Sequence, residues 1–277
     1  MTIRKIYVHN GVFHCDDVMC VAIMKSAFPD IEVQRTNRPP KIYGNDVIVA
    51  DIGFGKYDHH QPNAELRPDG KKYAACGLVF RDFWKNIFPN EESANAFNKK
   101  YILPIEDQDN GYAANPLSAS IFSFNAPWNK SSDVDLVMKR FNKAVDYLMD
   151  IISNEVESAN AKIEAGNVVN PAKEEAIEND QKYIVLKQYA PFDAYIKDTD
   201  ILYAVYPSNR NPGDWTVYCA RGDGFNSSKK LLPEHWKNKY CSPIGMTFLH
   251  NGLFTATFDS LDHAINATQL AVNAQIH

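Results

Sequence analysis

The sequence lacks both a long hydrophobic run and a paired set of cysteines. No apolar stretch approaches the roughly 20 residues that a membrane-spanning helix needs, and the first residues lead into a strand-like segment without the apolar core of a signal peptide. The five cysteines are odd in number and show no CxxC spacing, which argues against a disulfide framework. We therefore expect reduced thiols, a cytoplasmic location and no membrane partner.

An excess of positive charge is also missing, because 29 basic residues stand against 34 acidic ones for a net charge of −5. Without an overall basic field any contact with a polyanion must be local, so a long nucleic-acid duplex is not an expected partner. No glycine-rich phosphate loop or dinucleotide fingerprint follows the first strand-like segment. The 277 residues are 45% apolar, which excludes a disordered tail protein and is enough for two domains.

The most informative stretch covers positions 51–61 and follows a strand-like run at 46–50. Asp51 stands where this strand ends, which is the position at which open α/β sheets bind ligands. Two glycines then make a loop that ends in Asp58, His59 and His60. Because neighbours on a strand point to opposite faces, adjacent histidines can serve one site only from a loop or turn. Taken alone, the stretch fits a metal site and a solvated loop equally well.

Two further stretches favour the metal site. His9 closes the first strand-like run, and His14, Asp16 and Asp17 open the helical segment that follows. Asp109 lies just before a glycine turn. Mixed imidazole and carboxylate ligands suit Mn²⁺, Mg²⁺, Fe²⁺ or Zn²⁺, and a carboxylate can bridge two ions. A pair of such ions is a common device for displacement at phosphorus.

Strand and helix patterns alternate in the first part of the chain, which predicts a parallel sheet with right-handed crossovers. Strands are expected at 3–9, 31–35 and 46–51, and helices at 16–28, 74–88 and 91–103. The prolines at 116 and 127 suggest that residues 112–131 are irregular. The longest helical pattern covers 132–165, and Gly166 and Pro171 are its expected stop.

Beyond residue 182 the pattern changes to short strand-like runs separated by turn signals, with a last helix near 260–275. The strand-like runs are 183–186, 201–206, 215–219, 245–249 and 253–258. They predict a mainly antiparallel α+β domain. The expected fold is therefore α/β, with a parallel-sheet domain over 1–165, including a long connecting helix, and a smaller α+β domain over 166–277.

Taken together, these motifs resemble those of the MYG family, also called UPF0160, of the DHH phosphoesterase superfamily. The matching segments are 9–17, Asp51, 57–61, 109–111, 215–217, 225–236 and 248–250. The resemblance implies a DHH-type first domain and metal-dependent phosphoesterase chemistry. Eukaryotic members are credited with 3′–5′ RNA exonuclease activity, and other branches of the superfamily hydrolyse pyrophosphate, short oligonucleotides, adenosine bisphosphate or cyclic dinucleotides.

The resemblance also implies a role for each matching residue. Five residues match the ligands of two Mn²⁺-type ions directly, namely His9, Asp16, Asp51, His59 and Asp109. Asp51 would bridge the two ions. His60 would face the substrate phosphate, while Asp58 would orient a histidine without itself binding the metal ions.

The neighbourhood of His14 departs from the pattern of the wider superfamily. His14 is implied as a further ligand, but it stands where that superfamily has aspartate, at a spacing one residue longer. A softer ligand leaves the metal open, with Mn²⁺ expected first and Mg²⁺, Fe²⁺ and Zn²⁺ as alternatives. Asp17 can be a ligand or a helix-start acid, and we favour the helix-start acid. Cys15 is not expected to face the site.

In the second domain the resemblance points to Arg221, Ser227, Lys229 and His250 as groups that bind a phosphate or carboxylate. The alternative is a solvated turn that carries two lysines. Two departures bear on the substrate, because Ser228 stands where relatives carry arginine and the glycine after His250 is shifted.

The function predicted from the sequence is a metal-dependent phosphoesterase that hydrolyses phosphodiester bonds of short RNA or nucleotide-like substrates, like a 3′–5′ exonuclease. Its substrate would lie in the cleft between the two domains. One alternative is a binding protein or pseudoenzyme of the same fold. Another is a hydrolase of a different substrate class, although no His-Glu-x-x-His helix is present. The oligomeric state stays open, with a homodimer as one option.

Overall fold

The computed structural model describes residues 2–224 and 227–275. The chain divides into two compact units, one up to Asn160 and the other from Ala161. Positions 225 and 226, which belong to one of the matching segments, lie outside the described residues. Within the described part of the chain, no helix is both long and apolar enough to cross a membrane.

The first unit contains a three-stranded parallel sheet, as the alternating pattern predicted. Its strands are β1 (Lys5–Val8), β2 (Glu32–Arg35) and β3 (Val47–Val49), in the order β2-β1-β3. Ile6 pairs with Val33 on one side and with Ile48 on the other. Because all three strands run in the same direction, the residues that follow β1 and β3 emerge at the same edge of the sheet.

Five α-helices lie wholly within the described part of this unit. They are α1 (Cys15–Ala27), α2 (Ala75–Phe83), α3 (Glu91–Phe97), α4 (Leu103–Asp109) and α5 (Pro116–Phe122). Residues 15–24 of α1 are all buried, because the helix packs against β1, α2, α4 and α5. A helix enclosed in this way shows no polar stripe in its sequence.

Two predictions in this unit need correction. In the segment predicted as a helix at 74–88, α2 ends at Phe83 and a 3₁₀ turn (Trp84–Asn86) follows. The segment predicted as a helix at 91–103 is helical throughout, and it passes from α3 through a π-helical turn (Asn98–Ile102) into α4. The region 112–131 is not irregular, since it contains α5 and a 3₁₀ turn at Trp128–Lys130. Pro116 is the first residue of α5, where its missing N–H has no cost, so this proline begins a helix.

The prediction that the long helix ends near residue 165 was also wrong. Helix α6 runs over Val134–Glu178 and passes through both Gly166 and Pro171. At its start, the carboxylate of Asp133 accepts a hydrogen bond from the Leu136 N–H at 2.9 Å. Its later part buries Val169 and Ala176 among apolar side chains of the second unit. This burial offsets the hydrogen bond that Pro171 cannot make.

The second unit is built on a five-stranded, mainly antiparallel sheet, as predicted. Its strands are β4 (Tyr183–Val185), β5 (Tyr203–Pro207), β6 (Trp215–Cys219), β7 (Met246–Leu249) and β8 (Thr255–Phe258), in the order β4-β5-β6-β8-β7. Only the β4–β5 pair is parallel among these strands. One face packs on the last helix, α8 (Leu261–Asn273), and a short helix, α7 (Asp193–Ile196), precedes β5.

A buried carboxylate ties α2 to α4 in the first unit. Glu106 accepts a hydrogen bond from the Ala74 N–H at 2.9 Å and lies 3.2 Å from a guanidinium nitrogen of Arg67. Burial raises the pKa of Glu106 to about 7, against the opposing effect of these partners. Helix α2 approaches so closely that a Cβ on Gly77 would lie 1.8 Å from a Glu106 oxygen.

Gly77→Ala tests this contact. Helix propensity alone would stabilise α2 by about 1 kcal/mol, but overpacking a tight contact costs roughly 1–3 kcal/mol. We expect the steric term to dominate, so that the free energy of unfolding falls in urea titration. In a Glu106→Ala background the clash is gone, and the same glycine substitution should cost much less. An equal cost in both backgrounds would contradict the assigned contact.

Candidate metal centre

The loop after β3 places Asp51 at the edge of the first sheet. Asp51 has a left-handed backbone (φ 57°), as does Phe54 (φ 55°), and Gly53 lies between them at φ 89°. A left-handed backbone is unusual for residues other than glycine, asparagine and aspartate, so Phe54 is the strained residue of this turn, and such strain often occurs at functional sites. The turn brings the chain back so that the Asp51 N–H donates to the carbonyl of Tyr57 at 2.9 Å. The histidine pair then follows directly.

The two carboxylate oxygens of Asp51 face two different histidines. Its Oδ2 lies 3.4 Å from Nε2 of His9, which follows β1, and its Oδ1 lies 3.3 Å from Nε2 of His59. The side chain of Asp51 is only 5% exposed. Each oxygen of this carboxylate therefore belongs to a different group of ligand-type atoms.

The first group consists of His9, Asp17 and Asp51. Nε2 of His9 lies 3.5 Å from Oδ2 of Asp17. The other oxygen of Asp17 accepts the His14 N–H at 2.7 Å, so this residue also caps α1. We predicted Asp17 as a helix-start acid and did not predict its contact with His9.

The second group consists of Asp16, His59 and Asp109. Nε2 of His59 lies 3.7 Å from an Asp16 oxygen and 3.2 Å from an Asp109 oxygen. Asp16 also accepts hydrogen bonds from the Ala75 and Cys76 N–H groups at the start of α2. Together with Asp51 and His60, these residues form overlapping clusters that could hold metal ions.

The unpaired atoms in these clusters fit a divalent ion. Asp17 Oδ2, Asp51 Oδ1 and His59 Nε2 are buried without a hydrogen-bond partner, a costly condition for polar atoms. Ligands that share an ion at about 2.1 Å lie roughly 3.0–3.4 Å apart. The nitrogen–oxygen separations that involve Asp51, 3.3 and 3.4 Å, and the His59–Asp109 separation of 3.2 Å agree with that spacing.

The protonation of the cluster reflects its crowded negative charge. Burial acts to lower the pKa of His9 and His59, but the nearby carboxylates outweigh it and raise each pKa to about 9. Burial raises the pKa of Asp16 to about 6, to which the Asp51 charge adds, and likewise raises that of Asp109 to about 6. Without a cation the site therefore retains protons that a divalent ion would displace.

His60 differs from His59 in being exposed, with 56% of its side chain accessible. Its Nδ1 lies 2.8 Å from an oxygen of Asp58, and the same oxygen accepts the His60 N–H. The other Asp58 oxygen accepts the Phe54 N–H at 2.7 Å. Asp58 thus orients the His60 ring and fixes the loop, which is the arrangement expected of a supporting carboxylate.

His14 lies beside these clusters but belongs to none of them among the described residues. Its ring is 5.8 Å from that of His9 and stacks on Phe122 of α5 at 6.3 Å between centroids. It lines a cavity of about 370 Å³ together with Gln108, Asp109 and Ser118. Phe122 and Ser118 lie in the region that was predicted to be irregular, so the sequence did not indicate that they line this cavity.

Cys15 lines the same cavity as His14 and Asp109, although it was not expected to face the site. Its side chain is buried, and burial raises the pKa of the thiol to about 12. A thiol of this kind stays protonated at neutral pH and packs as a small apolar group.

The four residues proposed for substrate binding in the second unit have other partners or places. Lys229 donates to the carbonyls of Ile196 and Thr199 at 2.7 and 2.6 Å, at the end of α7. Ser227 exchanges hydrogen bonds with Gly224, and Arg221 lies 3.4 Å from an Asp193 oxygen. His250 lines an aromatic cavity whose lining includes none of the other three. The structure therefore places His250 in a cavity without the other three, and it places the Lys229 ammonium group against backbone carbonyls.

Comparison with known sequences agrees with the resemblance seen in the motifs. The profile of the uncharacterised protein family UPF0160 matches residues 5–272, so the chain belongs to this family. The mouse MYG1 exonuclease is 23% identical over 95% of this chain and 83% of its own length. The human MYG1 exonuclease is 24% identical over 84% and 74%. The fission yeast MYG1 protein C694.04c is 24% identical over 97% of both chains. No solved structure matches the chain significantly.

Asp17→Asn separates the two roles of Asp17. Asparagine can still accept the His14 N–H, but it removes a buried negative charge. We expect Mn²⁺ affinity to fall by more than about tenfold, since even outer partners of metal ligands cost roughly 10–100-fold. The melting temperature of the metal-free protein should fall modestly, because the protonated His9 loses the carboxylate that pairs with it.

The matched control for Asp17→Asn is Asp133→Asn, which alters another helix-start carboxylate that accepts a backbone N–H. This change should leave Mn²⁺ affinity unaltered. Isothermal titration calorimetry and thermal melting measure both effects, and equal affinities in the two variants would limit Asp17 to capping.

Proposed function

We propose that this protein is a metal-dependent phosphoesterase that hydrolyses phosphodiester bonds of short RNA or nucleotide-like substrates, in the manner of a 3′–5′ exonuclease. The observation that carries the proposal is the position of Asp51 between two histidine–carboxylate clusters, with one oxygen directed to each. A carboxylate placed in this way is suited to bridging two ions, and paired ions are a common means of displacing oxygen at phosphorus.

The residues divide into two candidate ligand sets that meet at Asp51. His9 and Asp17 lie with Asp51 in the first, and Asp16, His59 and Asp109 form the second, which Asp51 contacts through His59. When bound, divalent ions such as Mn²⁺ lower the pKa of a water and neutralise charge on the phosphoryl oxygens. Mg²⁺, Fe²⁺ and Zn²⁺ suit the same mixture of imidazole and carboxylate ligands.

The exposed ring of His60 is the group placed to meet the substrate. Asp58 holds Nδ1, so Nε2 can donate a hydrogen bond to a phosphoryl oxygen that gains charge. The cavity beside Asp109, with Phe122 as one wall, supplies room for the scissile group and its leaving oxygen.

The relatives support this class of reaction. The mouse and human sequences that align along most of this chain are both named MYG1 exonuclease. An exonuclease acts on phosphodiester bonds, and the ligand-type residues found here are those that such chemistry uses. The net charge of −5 favours a short substrate, because a long polyanion would be repelled by the protein as a whole.

Asp51→Asn tests the proposed centre. Asparagine adopts the left-handed backbone readily, so the turn should survive. We expect the loss of at least one metal equivalent and a fall in the cleavage rate of a short oligoribonucleotide by a factor of roughly 10³ or more, since a bridging ligand acts directly on the transition state. Metal analysis and a cleavage assay with added Mn²⁺ measure the two effects.

Asp30→Asn is the control for Asp51→Asn, since Asp30 is exposed and lies in a turn. It should retain both metal and activity. Full metal content and full activity in Asp51→Asn would reject the two-metal proposal. Turnover of peptides rather than phosphodiesters by the unaltered chain would reject the substrate class.

The dependence of rate on salt tests the expected substrate size. Each phosphate contact that releases a counterion adds roughly −0.7 to the log–log slope for a single strand. We expect a short substrate to make about one to two such contacts. The logarithm of kcat/KM should therefore fall only slightly with the logarithm of salt concentration between 50 and 200 mM. Duplex RNA of about 20 base pairs serves as the comparison. A steep slope with efficient duplex cleavage would contradict the proposal.

A further inference from the structure

An aromatic cavity lies on one face of the five-stranded sheet in the second unit. The opposite face packs on α8. On the cavity face, the later part of α6 and the segment around α7 pack near Ile184 and Ala204 of β4 and β5. Toward β6, β8 and β7 the same face opens into a cavity of about 640 Å³, within the range of roughly 300–1,000 Å³ typical of small-molecule sites.

Several aromatic rings line this cavity in contact with one another. The rings of Tyr189 and Tyr206 are 5.2 Å apart, and those of Tyr218 and Phe254 are 5.6 Å apart. Tyr189 and Phe248 remain 49% and 44% exposed. Flat rings that stay open to solvent at the wall of a cavity are suited to stacking on a flat ligand, and nucleobases are sequence-tolerant partners for such stacking.

The floor of the cavity is polar, because every second side chain along each strand points to this face. Thr216 pairs with Thr257, and Tyr218 pairs with Thr255, so these side chains share one face of the sheet. Within residues 2–224 and 227–275, the hydroxyl groups of Tyr189, Tyr206 and Tyr218 form no hydrogen bond. Hydroxyls can donate and accept, so they can meet either kind of group at a base edge.

The charge of the cavity also selects its ligand. Its lining contains Arg210 and no carboxylate, although the carboxylate of Asp214 accepts hydrogen bonds from two lining residues, Asn211 and Thr247. Among the described residues the Arg210 guanidinium forms no ion pair, whereas Lys229 and Lys230 are held by backbone carbonyls. An arginine without an acidic partner beside stacking rings is suited to a phosphate attached to a base.

We propose that this cavity binds one nucleotide unit of a single-stranded substrate, with the base against the rings of Tyr189, Tyr218 and Phe254 and the phosphate toward Arg210. The proposal rests on the phosphoesterase function proposed above and names the part of the substrate that the second unit recognises. A purely apolar ligand would leave the hydroxyls and the guanidinium unpaired, whereas a nucleotide uses rings, hydroxyls and cation together.

Binding of adenosine to the full chain tests the base site. Isothermal titration calorimetry should show adenosine binding and no binding of ribose, which lacks the base. Tyr218→Thr keeps a residue suited to a strand and should weaken adenosine binding about tenfold, the order expected for one lost stack. Tyr189→Ser, at an exposed loop position, should weaken it in the same direction. Tyr218→Phe keeps the ring and should bind adenosine nearly as well as the unaltered chain.

Two matched controls accompany these variants. Tyr240→Ser removes an aromatic ring that is 85% exposed and outside the cavity, and it should leave adenosine binding unchanged. Arg210→Gln should weaken binding of adenosine 5′-monophosphate by about tenfold, the order of one charge-assisted pair, while adenosine binds as before. Arg221→Gln should change neither.

Three results would overturn the proposal. They are equal binding of ribose and adenosine, equal losses in Tyr240→Ser, and full adenosine binding by both Tyr189→Ser and Tyr218→Thr. Thermal melting identifies a variant that fails to fold, and the loop variant then decides. Adenosine contains no phosphoester, so its binding does not depend on turnover. A chain that binds adenosine but cleaves no phosphodiester would reject the hydrolase function alone, and cleavage without adenosine binding would reject the nucleotide site alone.

Discussion

Repulsion among buried carboxylates is the constraint on which the first unit depends. Asp16, Asp17, Asp51 and Asp109 converge within a few ångströms, and three of these four are almost fully buried. Desolvated charges of one sign are unstable together unless cations or protons compensate them. The fold holds them in place from three directions, because they come from the start of α1, the end of β3 and the end of α4. This arrangement costs stability in the absence of a cation and prepares a site for one.

The hydrogen bonds that hold the site residues in place extend into the core of the first unit. Asp16 and Glu106 together accept the N–H groups of Ala74, Ala75 and Cys76, so two carboxylates satisfy the start of α2 and favour its dipole. Glu106 in turn pairs with Arg67, which also contacts Asp107 at 2.6 Å. A ligand-type residue and a structural residue thus share one helix end. Substitutions at α2 are therefore expected to change both the packing of the core and the geometry of the metal centre.

The second unit uses its cations differently from what their sequence context indicated. Lys229 and Lys230 donate to carbonyls near the ends of α7 and α8, where a positive charge complements both the helix dipole and the unpaired oxygens. Their ammonium groups therefore stabilise these helix ends. What remains for recognition on the described surface of this sheet is an aromatic face with hydroxyl groups and Arg210. In the proposed nucleotide site, ligand selection therefore depends on ring geometry more than on net charge.

Local pattern in the sequence determined the strand–helix alternation, the parallel sheet of the first unit and the antiparallel sheet of the second. It also determined which ligand-type residues stand at strand ends, because parallel strands deliver His9 and Asp51 to one edge wherever the helices pack. Only the tertiary structure decided that Asp17 faces His9, that α6 continues through Pro171, and that Lys229 meets carbonyl groups. Each of these depends on a partner distant in sequence, since burial and long-range contacts outweigh propensity and leave no local periodic signal.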